Sequence, residues 1–396
     1  MTNNMLKIKI IIFTLLFFVL GSLFFLKAQE TGGTLDQEQI PVEDTAQAKP
    51  DQEYLKGSII KILEEGNQDV YGQIQYYQRL QIKISNGSVK NKEIEVYSSL
   101  ESPDSPLKYK QGDKVTVLRL YMDDGQEQYY VTDYQRMNYL GILLVVFTLL
   151  VLAVGRLSGL LSLIGIVYSF CVVFYFMLPK LSLGGNPLIS LLISTILIAP
   201  VIFFLSHGLN KKTTISLVST LISIIITALM AVFLISISRL TGSASEESLF
   251  LQYTMGQSFN ISGLLLGGII IGSLGILADV TISQASIVED LSKSKIKLTF
   301  KETFLKSLEL GRSHILRSII SLVFLYISCS FPLLILFTKA DIPSSVIINS
   351  EIISEEAVRI LVSGIGLILS VPLTILLSIK FLTPVTTRRA VKKFTK

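Results

Sequence analysis

The sequence is poor in charged residues, cysteine and histidine, and the shortage of charge already excludes an ordinary soluble protein. Only 16% of its 396 residues are charged, whereas 50% are hydrophobic and the mean hydropathy is +0.58. A soluble domain does not tolerate so apolar a surface, so the composition predicts an integral membrane protein that contacts the lipid bilayer. The net charge of +5 does not indicate nucleic-acid binding, because the basic residues cluster beside apolar runs.

The two cysteines, Cys171 and Cys329, both lie inside apolar runs. Their position argues against a disulfide framework or a zinc cluster, and we expect both to be small buried side chains. The two histidines leave little acid–base chemistry, and the sequence contains no His-Glu-x-x-His, no Gly-x-Ser-x-Gly and no phosphate loop. We therefore expect no enzymatic activity, no cofactor and no metal site.

The N-terminal part of the chain predicts an anchor followed by a linker. Residues 8–26 form an apolar run long enough to cross a bilayer, preceded by Lys7 and next to Lys9. No small-x-small cleavage site follows, which favours an uncleaved membrane anchor over residues 1–27. Residues 28–53 are rich in acidic residues, Gln and Thr without apolar periodicity, and we interpret them as a flexible linker.

A β-rich domain is predicted over residues 54–138. Five short runs in it alternate apolar and polar residues and are separated by Asn-Gly, Gly-Asp or Asp-Gly turn signals. They predict five strands that form either a small barrel or two packed sheets. Tyrosines of this region are either a ligand platform or ordinary strand packing. These tyrosines are Tyr76, Tyr77, Tyr129, Tyr130 and Tyr134.

Residues 139–382 contain seven further apolar segments and predict a membrane domain, which a basic tail at 383–396 follows. The segments are 139–155, 160–178, 187–206, 214–236, 261–281, 315–337 and 360–379. Together with the N-terminal anchor they predict an all-α polytopic membrane bundle of about eight transmembrane helices. The fold class is completed by a small extracytoplasmic all-β domain.

The lysines and arginines of the short loops predict the orientation, because cytoplasmic loops are enriched in these residues. With a cytoplasmic N-terminus, the inner side has Lys7, Lys9, Arg156, Lys211, Lys212, Lys293, Lys295, Lys297, Lys301, Lys306, Arg312, Arg388, Arg389, Lys392, Lys393 and Lys396. The outer loops have Lys180, Arg239, Lys339 and Arg359. Both termini are therefore expected in the cytoplasm and residues 28–138 outside a bacterial cell membrane.

The segment 261–281 combines glycines at helical spacing with one acid, Asp279. Small residues at this spacing allow a second helix to approach closely, so we expect Asp279 to face protein near the cytoplasmic boundary. The predicted helix-packing glycines are Gly263, Gly267, Gly268, Gly272 and Gly275.

Other polar side chains are predicted at the same depth as Asp279. A pair between Asp279 and arginine would neutralise the acid, whereas a pair with histidine would titrate near neutral pH. The group is either a proton- or ion-coupled site or a set of snorkelling and capping groups at the headgroups. The candidate cluster consists of Asp279, His207, His314, Arg312, Arg317 and Gln284.

The loop before segment 315–337 has a capping-box pattern at Thr299 and Glu302, followed by apolar residues on one helical face. It predicts either an interfacial helix that ends at Gly311 or an extension of the next span, hinged at that glycine. The apolar residues are Phe300, Phe304, Leu305 and Leu308. Three prolines, Pro200, Pro332 and Pro372, are expected to interrupt spans, as in the discontinuous helices of many transporters.

Several segments of the chain resemble the YibE/F family of bacterial polytopic membrane proteins. They are "GRLSGLLSLIGI", "GGNPLISLL", "SHGLNKKTTISLVSTL", "GSLGILADVTISQAS", "GRSHI" and "FPLLILF". The outer strand domain after a first anchor resembles the YibE-type member, and the resemblance implies a homologous YibF-type membrane subunit or a homo-oligomer as partner. Family members often have acids where this chain has Ala278 and Ser313, and Asn-Thr where it has Ile320-Ser321.

Two functions remain open on this basis. The first is a permease or permease subunit that moves a small solute or ion through a site near Asp279. The second is a non-transporting envelope scaffold or assembly subunit that anchors the outer domain to a partner.

Overall fold

The structure is a computed structural model that describes residues 52–70, 73–100, 108–122, 126–255, 260–294, 298–339 and 342–382. The predicted anchor at 8–26, nearly all of the linker at 28–53 and the basic tail at 383–396 lie outside these residues. The chain divides into two compact units with a boundary between residues 150 and 151.

The first unit is a single antiparallel sheet of five strands in the order β3-β2-β1-β4-β5. The strands are β1 (Gln52–Val70), β2 (Gln73–Ile84), β3 (Glu93–Leu100), β4 (Lys114–Tyr121) and β5 (Glu127–Tyr134). The five predicted strands are therefore confirmed. The long strand β1 pairs with both β2 and β4 and has two register shifts, at Ile59/Lys61 and Ile62/Glu64. Such irregularities bend a sheet, and the edge strands β3 and β5 contact each other. One curled half-barrel thus replaces the alternative of two packed sheets.

The interior of this sheet follows directly from the alternation in the sequence. Residues at every second position point to the inner face, where apolar side chains pack into one cluster. Its most buried members are Leu55, Ile59, Leu80, Ile82, Ile84, Val96, Val115 and Val117.

Arg119 continues the inward face of β4 after Val115 and Val117 and is only 5% exposed. Its guanidinium donates to Glu53 at 3.1 Å and to the Ser88 hydroxyl at 2.6 Å, and it also pairs with Glu127. A buried guanidinium needs such partners because burial penalises an unpaired charge. The group therefore links β1, β4 and β5 at one end of the half-barrel.

The five predicted tyrosines do not form one platform. Tyr76 is buried and its hydroxyl donates to Glu65 at 2.6 Å, whereas the Tyr77 ring stacks on Tyr97 at 5.4 Å. Tyr129 donates to a carboxylate of its own strand, and Tyr134 donates to a backbone carbonyl. Ordinary strand packing therefore accounts for most of these tyrosines; only Tyr130, 45% exposed, presents its ring mainly to the surroundings.

Four carboxyl groups of the strand unit have pKa values below their ordinary range because hydrogen bonds stabilise their charged forms. The donor with the largest effect is Ser88 for Glu53, Tyr76 for Glu65, Tyr129 for Glu127 and Arg136 for Asp133. A carboxyl whose folded-state pKa is lowered stabilises the fold above its unfolded-state pKa and loses this contribution as the pH falls. We therefore expect the unit to lose stability below about pH 4.5, through the lowered pKa values.

The opposite limit is set by two tyrosines whose pKa is raised to about 12, first by burial and then by the hydrogen bond to a carboxylate. These are Tyr76 and Tyr129. A raised folded-state pKa stabilises the fold below the unfolded value and this contribution is lost as the pH rises, here between about 10 and 12. The melting temperature of the strand unit, measured by tyrosine fluorescence and plotted against pH, should therefore be constant between these two limits. An unchanged melting temperature from neutral pH to pH 3 would contradict this prediction.

The second unit is helical. Its long helices are α1 (Met137–Val172, which begins in the first unit), α3 (Pro187–His207), α4 (Lys211–Ile237), α6 (Ser262–Lys293), α7 (Phe300–Cys329) and α10 (Glu351–Leu382). The short helices are α2 (Leu178–Ser182), α5 (Glu246–Met255), α8 (Phe331–Lys339) and α9 (Ser344–Asn349), and a π-helical turn at Val173–Met177 joins α1 to α2.

Six helical segments within the described residues are long and apolar enough to cross a membrane. The first of them, Met137–Ser182, contains both predicted segments 139–155 and 160–178. Arg156 interrupts it with a non-helical backbone (φ 48°, ψ −131°), and a Cβ added at Gly159 would lie 2.5 Å from the Val151 carbonyl oxygen. Residues eight apart are about 12 Å apart along a straight helix, so the chain bends sharply here. The total of eight spans stays a prediction, since one lies outside the described residues.

The centre of the helical unit consists of α4, α6 and α10, which pack on one another. Their contact faces contain small and hydroxyl-bearing residues rather than only large apolar ones. The most buried of these are Thr213, Ser216, Ser219, Thr220, Ser223 and Thr227 on α4, Ser273 and Thr281 on α6, and Ser363, Ser370, Thr374 and Ser378 on α10. Small side chains allow the helix backbones to approach closely in a membrane. The hydroxyls of Thr220 and Thr281 lie 2.7 Å apart, and Ser273 donates to Ser363 at 2.9 Å.

Several expectations for the helices are wrong in detail. The capping box at Thr299 and Glu302 is present, but α7 continues through Gly311, so the separate interfacial helix is absent and the extension of the span is correct. Gly311 does not end the helix. Its lack of a side chain instead leaves room for the Gln284 amide, which a Cβ at this position would meet. Of the predicted interfacial face, Phe300 and Phe304 are partly buried against the core, whereas Leu305 and Leu308 are exposed.

The positions of the prolines and cysteines also differ from those expected from the sequence. Pro200 and Pro372 lie inside continuous helices, so, contrary to the prediction, neither interrupts its span. The predicted segment 315–337 is divided between α7, which ends at Cys329, and α8, which begins at Phe331. Pro332 lies in the first turn of α8, where the backbone N–H that proline lacks would have no intrahelical partner. Cys171 and Cys329 are exposed rather than buried, because the apolar runs that contain them turn part of their surface outward. Exposure of apolar helix faces is what a lipid environment permits.

Candidate polar site

The packing of α6 decides which polar side chains meet. On α3, Pro187 and Leu191 lie opposite Gly263 and Gly267 of α6, so α3 and α6 run parallel. On α7, Tyr326 lies opposite Gly272, and His314 lies further along α6 beside Asp279, so α7 runs antiparallel to α6. These directions bring the C-terminal end of α3, the region around Asp279 and the first half of α7 to the same end of the unit.

Asp279 pairs with His314 across α6 and α7. The carboxylate Oδ2 and the imidazole Nε2 lie 3.4 Å apart, and the two side chains are 64% and 29% exposed. Of the two predicted kinds of partner for Asp279, arginine and histidine, the structure thus has histidine. The expectation that Asp279 faces protein is wrong, because most of its side chain points away from the helices of this chain. Its neighbour Gly275 has open space where a Cβ would be.

His207 is the last residue of α3, and its position depends on the turn that follows. Gly208 has a φ of 75°, a left-handed conformation that glycine adopts without strain and that ends the helix. Asn210 then caps α4 by accepting from the Thr213 backbone N–H at 2.8 Å, and its amide donates to the His207 carbonyl at 3.0 Å. This turn holds His207 close enough to Asp279 for the carboxylate to act on it electrostatically.

Arg312 and Arg317 do not join the pair. Both are exposed on α7, and among the described residues neither makes an ion pair with Asp279. Arg312 lies two residues before His314 and therefore points to a different face of α7, whereas Arg317, three residues after it, shares its face but makes no ion pair with Asp279 among the described residues. Among the described residues, the predicted partner that contacts the carboxylate is His314, while His207 lies only within electrostatic range of it.

Gln284 lies apart from the acid and links two helices. Its side chain is 2% exposed, and its Nε2 donates to the Ser307 carbonyl at 3.3 Å, next to Gly311. Five residues separate it from Asp279, which places the two side chains on different faces of α6. Its role is to join α6 to α7 beneath the candidate site.

The predicted glycine face divides between three neighbouring helices. Gly263 and Gly267 face α3, whereas a Cβ added at Gly268 would lie 3.6 Å from the Arg359 side chain of α10, and one added at Gly272 would meet Tyr326 of α7. Because 3.6 residues make one turn, glycines four and five apart turn progressively around the axis. Gly275 contacts no neighbour, so it does not belong to this packing.

Helix α6 is longer than the predicted apolar segment. The predicted segment ends at residue 281, but the helix continues to Lys293, about 21 Å beyond Asp279. Along this extension Glu289 pairs with Lys293 at 2.7 Å and with Lys212 of α4 at 3.6 Å. Glu289 and Lys212 were not among the predicted site residues, although their opposite charges on neighbouring polar extensions were a usable signal.

A second polar group lies toward the other end of α6, and the predictions missed it. It consists of Glu355, Glu356 and Arg359 on α10 together with Tyr326 on α7. The signal was the acidic stretch before segment 360–379, but hydropathy alone excludes charged residues from a predicted span. The helix in fact begins at Glu351 and includes them.

The candidate site offers a carboxylate and two imidazoles, groups that exchange protons near neutral pH or bind small cations. Within the described ranges, no three side chains of His, Cys, Asp or Glu come close enough to hold a metal ion.

A family model described as YibE/F-like protein matches residues 143–384, most of the helical unit. No curated protein and no solved structure matches the chain.

Proposed function

The chain belongs to the YibE/F-like family of membrane proteins, and on this basis we propose that it is a permease or permease subunit for a small solute or ion. The site would comprise His207, Asp279 and His314, and the chain would not act as an enzyme. The observation that supports the proposal is the 3.4 Å pair between Asp279 and His314 on two helices of membrane-spanning length. Ionisable residues inside membrane segments are expensive and usually serve transport or proton transfer.

The proposal includes a location and a partner. The Lys and Arg distribution supports a bacterial plasma membrane protein with both termini in the cytoplasm and residues 28–138 outside. The site would then open toward the cytoplasm. The partner would be a homologous YibF-type subunit or a second copy of the chain, and the exposure of Asp279 and Gly275 supports such an arrangement.

Asp279→Asn tests the proposal because it removes the charge and retains the shape of the side chain. Everted vesicles that contain the protein would be given a pH gradient and then a panel of inorganic ions, amino acids and organic acids. We expect at least one of these solutes to dissipate the gradient in the wild type, and we expect Asp279→Asn to lower the initial rate at least tenfold. The physical reason is that the neutral amide cannot exchange a proton with His314 or balance a cation.

Asp290→Asn is the matched control for this experiment. It makes the same chemical change on the same helix, at an exposed position that forms no part of the site. The control should retain transport at the level of the wild type, with equal amounts of all three proteins in the vesicles. Equal loss of protein and flux in Asp279→Asn, or equal flux in all three, would contradict a transport role for the acid.

A scaffold function is the second candidate, and the self-contained strand unit supports it. This unit has its own core and carries exposed rings at Tyr54, Tyr97 and Tyr130. Aromatic residues of this kind are enriched where proteins bind partners. Co-purification of the full chain from native membranes distinguishes the two functions. A scaffold should retain a stoichiometric partner in Asp279→Asn and lose it when these tyrosines are replaced by serine.

A further inference from the structure

Glu355 is a buried carboxyl group at the far end of α6 from Asp279. Its helix α10 runs parallel to α6, because Arg359 lies at Gly268 and Ser363 lies at Ser273. Glu355 precedes Arg359 by one helical turn. Since Gly268 and Asp279 are about 16 Å apart along α6, the two carboxyls lie more than half a membrane thickness from each other.

The side chain of Glu355 makes no ion pair within the part of the chain that the structure describes. The residue is only 7% exposed, and its Oε1 has no hydrogen-bond partner among the described residues. The backbone amide of Ala244 provides a hydrogen bond to the carboxyl group. Arg359, one turn later on the same helix, makes its ion pair with Glu356 instead, at 2.5 Å.

The charged groups near Glu355 on α10 are two glutamates and one arginine, which together carry a net negative charge. Glu351, one turn earlier on the same face, accepts from the Thr241 hydroxyl at 2.7 Å and also from its backbone N–H. Glu351, Glu356 and Arg359 of α10 act electrostatically on Glu355. The neighbouring helices contribute the neutral Tyr326 from α7 and the backbone near Gly268 from α6.

The carboxyl groups of Glu351, Glu355 and Glu356 cannot all be ionised beside the single Arg359 without a large cost in free energy. Glu356 is compensated by Arg359, and Glu351 is partly exposed and hydrogen-bonded. The remaining charge would belong to Glu355, which makes no ion pair among the described residues, and burial of an unpaired charge is avoided by neutralisation.

We propose that Glu355 is a proton-binding site, so that the helical unit has one protonatable carboxyl toward each end of α6. This role rests on the proposed permease function only in so far as the proton is coupled to transport. Occupancy of the carboxyl by a proton explains the unpartnered oxygen, since the protonated group carries no charge and needs no ion pair. Tyr326 lies in the same group; the residue is 8% exposed, and its buried hydroxyl likewise has no hydrogen-bond partner among the described residues.

The probe for this site is N,N′-dicyclohexylcarbodiimide, an apolar reagent that reacts with protonated carboxyl groups. The acid adds across one C=N bond, and the adduct rearranges to a stable N-acylurea that retains every atom of both reactants. The full-length protein in lipid nanodiscs would be treated at a series of pH values, digested and mapped by mass spectrometry. We expect one carbodiimide on the peptide that contains Glu355, with labelling that falls about tenfold per pH unit above the apparent pKa.

Two matched variants assign the label. Glu355→Gln should abolish the adduct, and Glu356→Gln, which makes the same change on the adjacent residue, should retain it. Mapping of the wild type by itself tests the proposal if Glu355→Gln fails to fold. A label on Glu351 or Glu356 only, or no label at any pH, would overturn the proposal.

Two further arms separate this inference from others. Sodium or potassium ions at constant pH should leave the labelling unchanged, whereas protection by either ion would identify a cation site in place of the proton site. Asp279→Asn should leave the labelling of Glu355 unchanged. Labelling at Glu355 without any transport would refute the permease and leave the proton site standing, whereas transport without labelling would do the reverse.

Discussion

Gly366→Leu is expected to prevent stable assembly of the helical unit. A Cβ at this position would collide with the Thr227 hydroxyl of α4 and would lie 3.1 Å from the Thr227 Cβ. Both residues are buried where α4 and α10 cross, so neither helix can move without opening contacts to α6. Overpacking of a close-packed interior typically costs about 1–3 kcal/mol, and a leucine exceeds the single Cβ that already collides. We expect a loss of at least about 3 kcal/mol.

The measurement is the amount of monodisperse protein extracted from membranes, together with its melting temperature. Gly364→Leu is the control, because it makes the same substitution two residues away on the same helix, where a Cβ meets nothing within 4 Å. It should accumulate and melt as the wild type does, since the added side chain extends into open space. Similar behaviour of the two variants would show that α4 and α10 do not pack as described.

Arg119→Met is the second substitution with a large expected effect, and it acts on the strand unit. It leaves the carboxylates of Glu53 and Glu127 close together without the guanidinium that separates them. The loss of one member of a buried ion pair is strongly destabilising because the remaining charges are uncompensated. Glu53 and Glu127 retain 28% and 30% exposure, so solvent moderates the effect. We expect the melting temperature of the strand unit to fall by more than about 5 °C.

Arg79→Met provides the control with the same change of charge. Arg79 pairs with Glu95 at 2.8 Å, but both side chains are more than half exposed. Exposed pairs contribute little, so this variant should melt within about 2 °C of the wild type. The chain contains 15 tyrosines and no tryptophan, so tyrosine fluorescence reports mainly on the strand unit, where many tyrosines lie. An equal effect of the two substitutions would exclude a special role for the buried guanidinium.

The strand unit was predictable from sequence because its local and tertiary signals agree. Period-two alternation in β4 places Val115 and Val117 inside, and turn residues separate each strand from the next. The exception is Arg119, which occupies an inward position that the pattern assigns to an apolar residue. Its partners Glu53 and Glu127 come from other strands, so no local signal identifies them.

The helical unit was predictable in its spans but not in its ends. Hydropathy finds the apolar middle of α6 and α10, but both helices continue into polar turns that this measure does not register. Gly311 resembles a helix end and is instead the contact point for Gln284. A glycine that ends a helix and a glycine that allows close contact between helices can have similar sequence neighbours. Only the tertiary contact distinguishes the two roles.

The candidate site was predicted in its members more than in its geometry. Asp279 and the two histidines share one end of the unit, as their predicted depth implied, whereas the arginines turn away. Depth in a membrane can be estimated from distance along a helix, but rotation about the helix axis depends on which neighbours pack there. The second group around Glu355 was missed for the related reason that charged residues lower the hydropathy of the helix that contains them.

A carboxyl group on the outer surface of an apolar helix, as at Asp279, restricts the environments that can surround a single copy of this polypeptide. Hydrocarbon chains cannot solvate it, so headgroups, a water-filled cleft or another protein must meet that surface in the living membrane. Detergent is a poor substitute for all three. Purification in native lipid patches is consequently the condition under which the properties of this protein should first be measured.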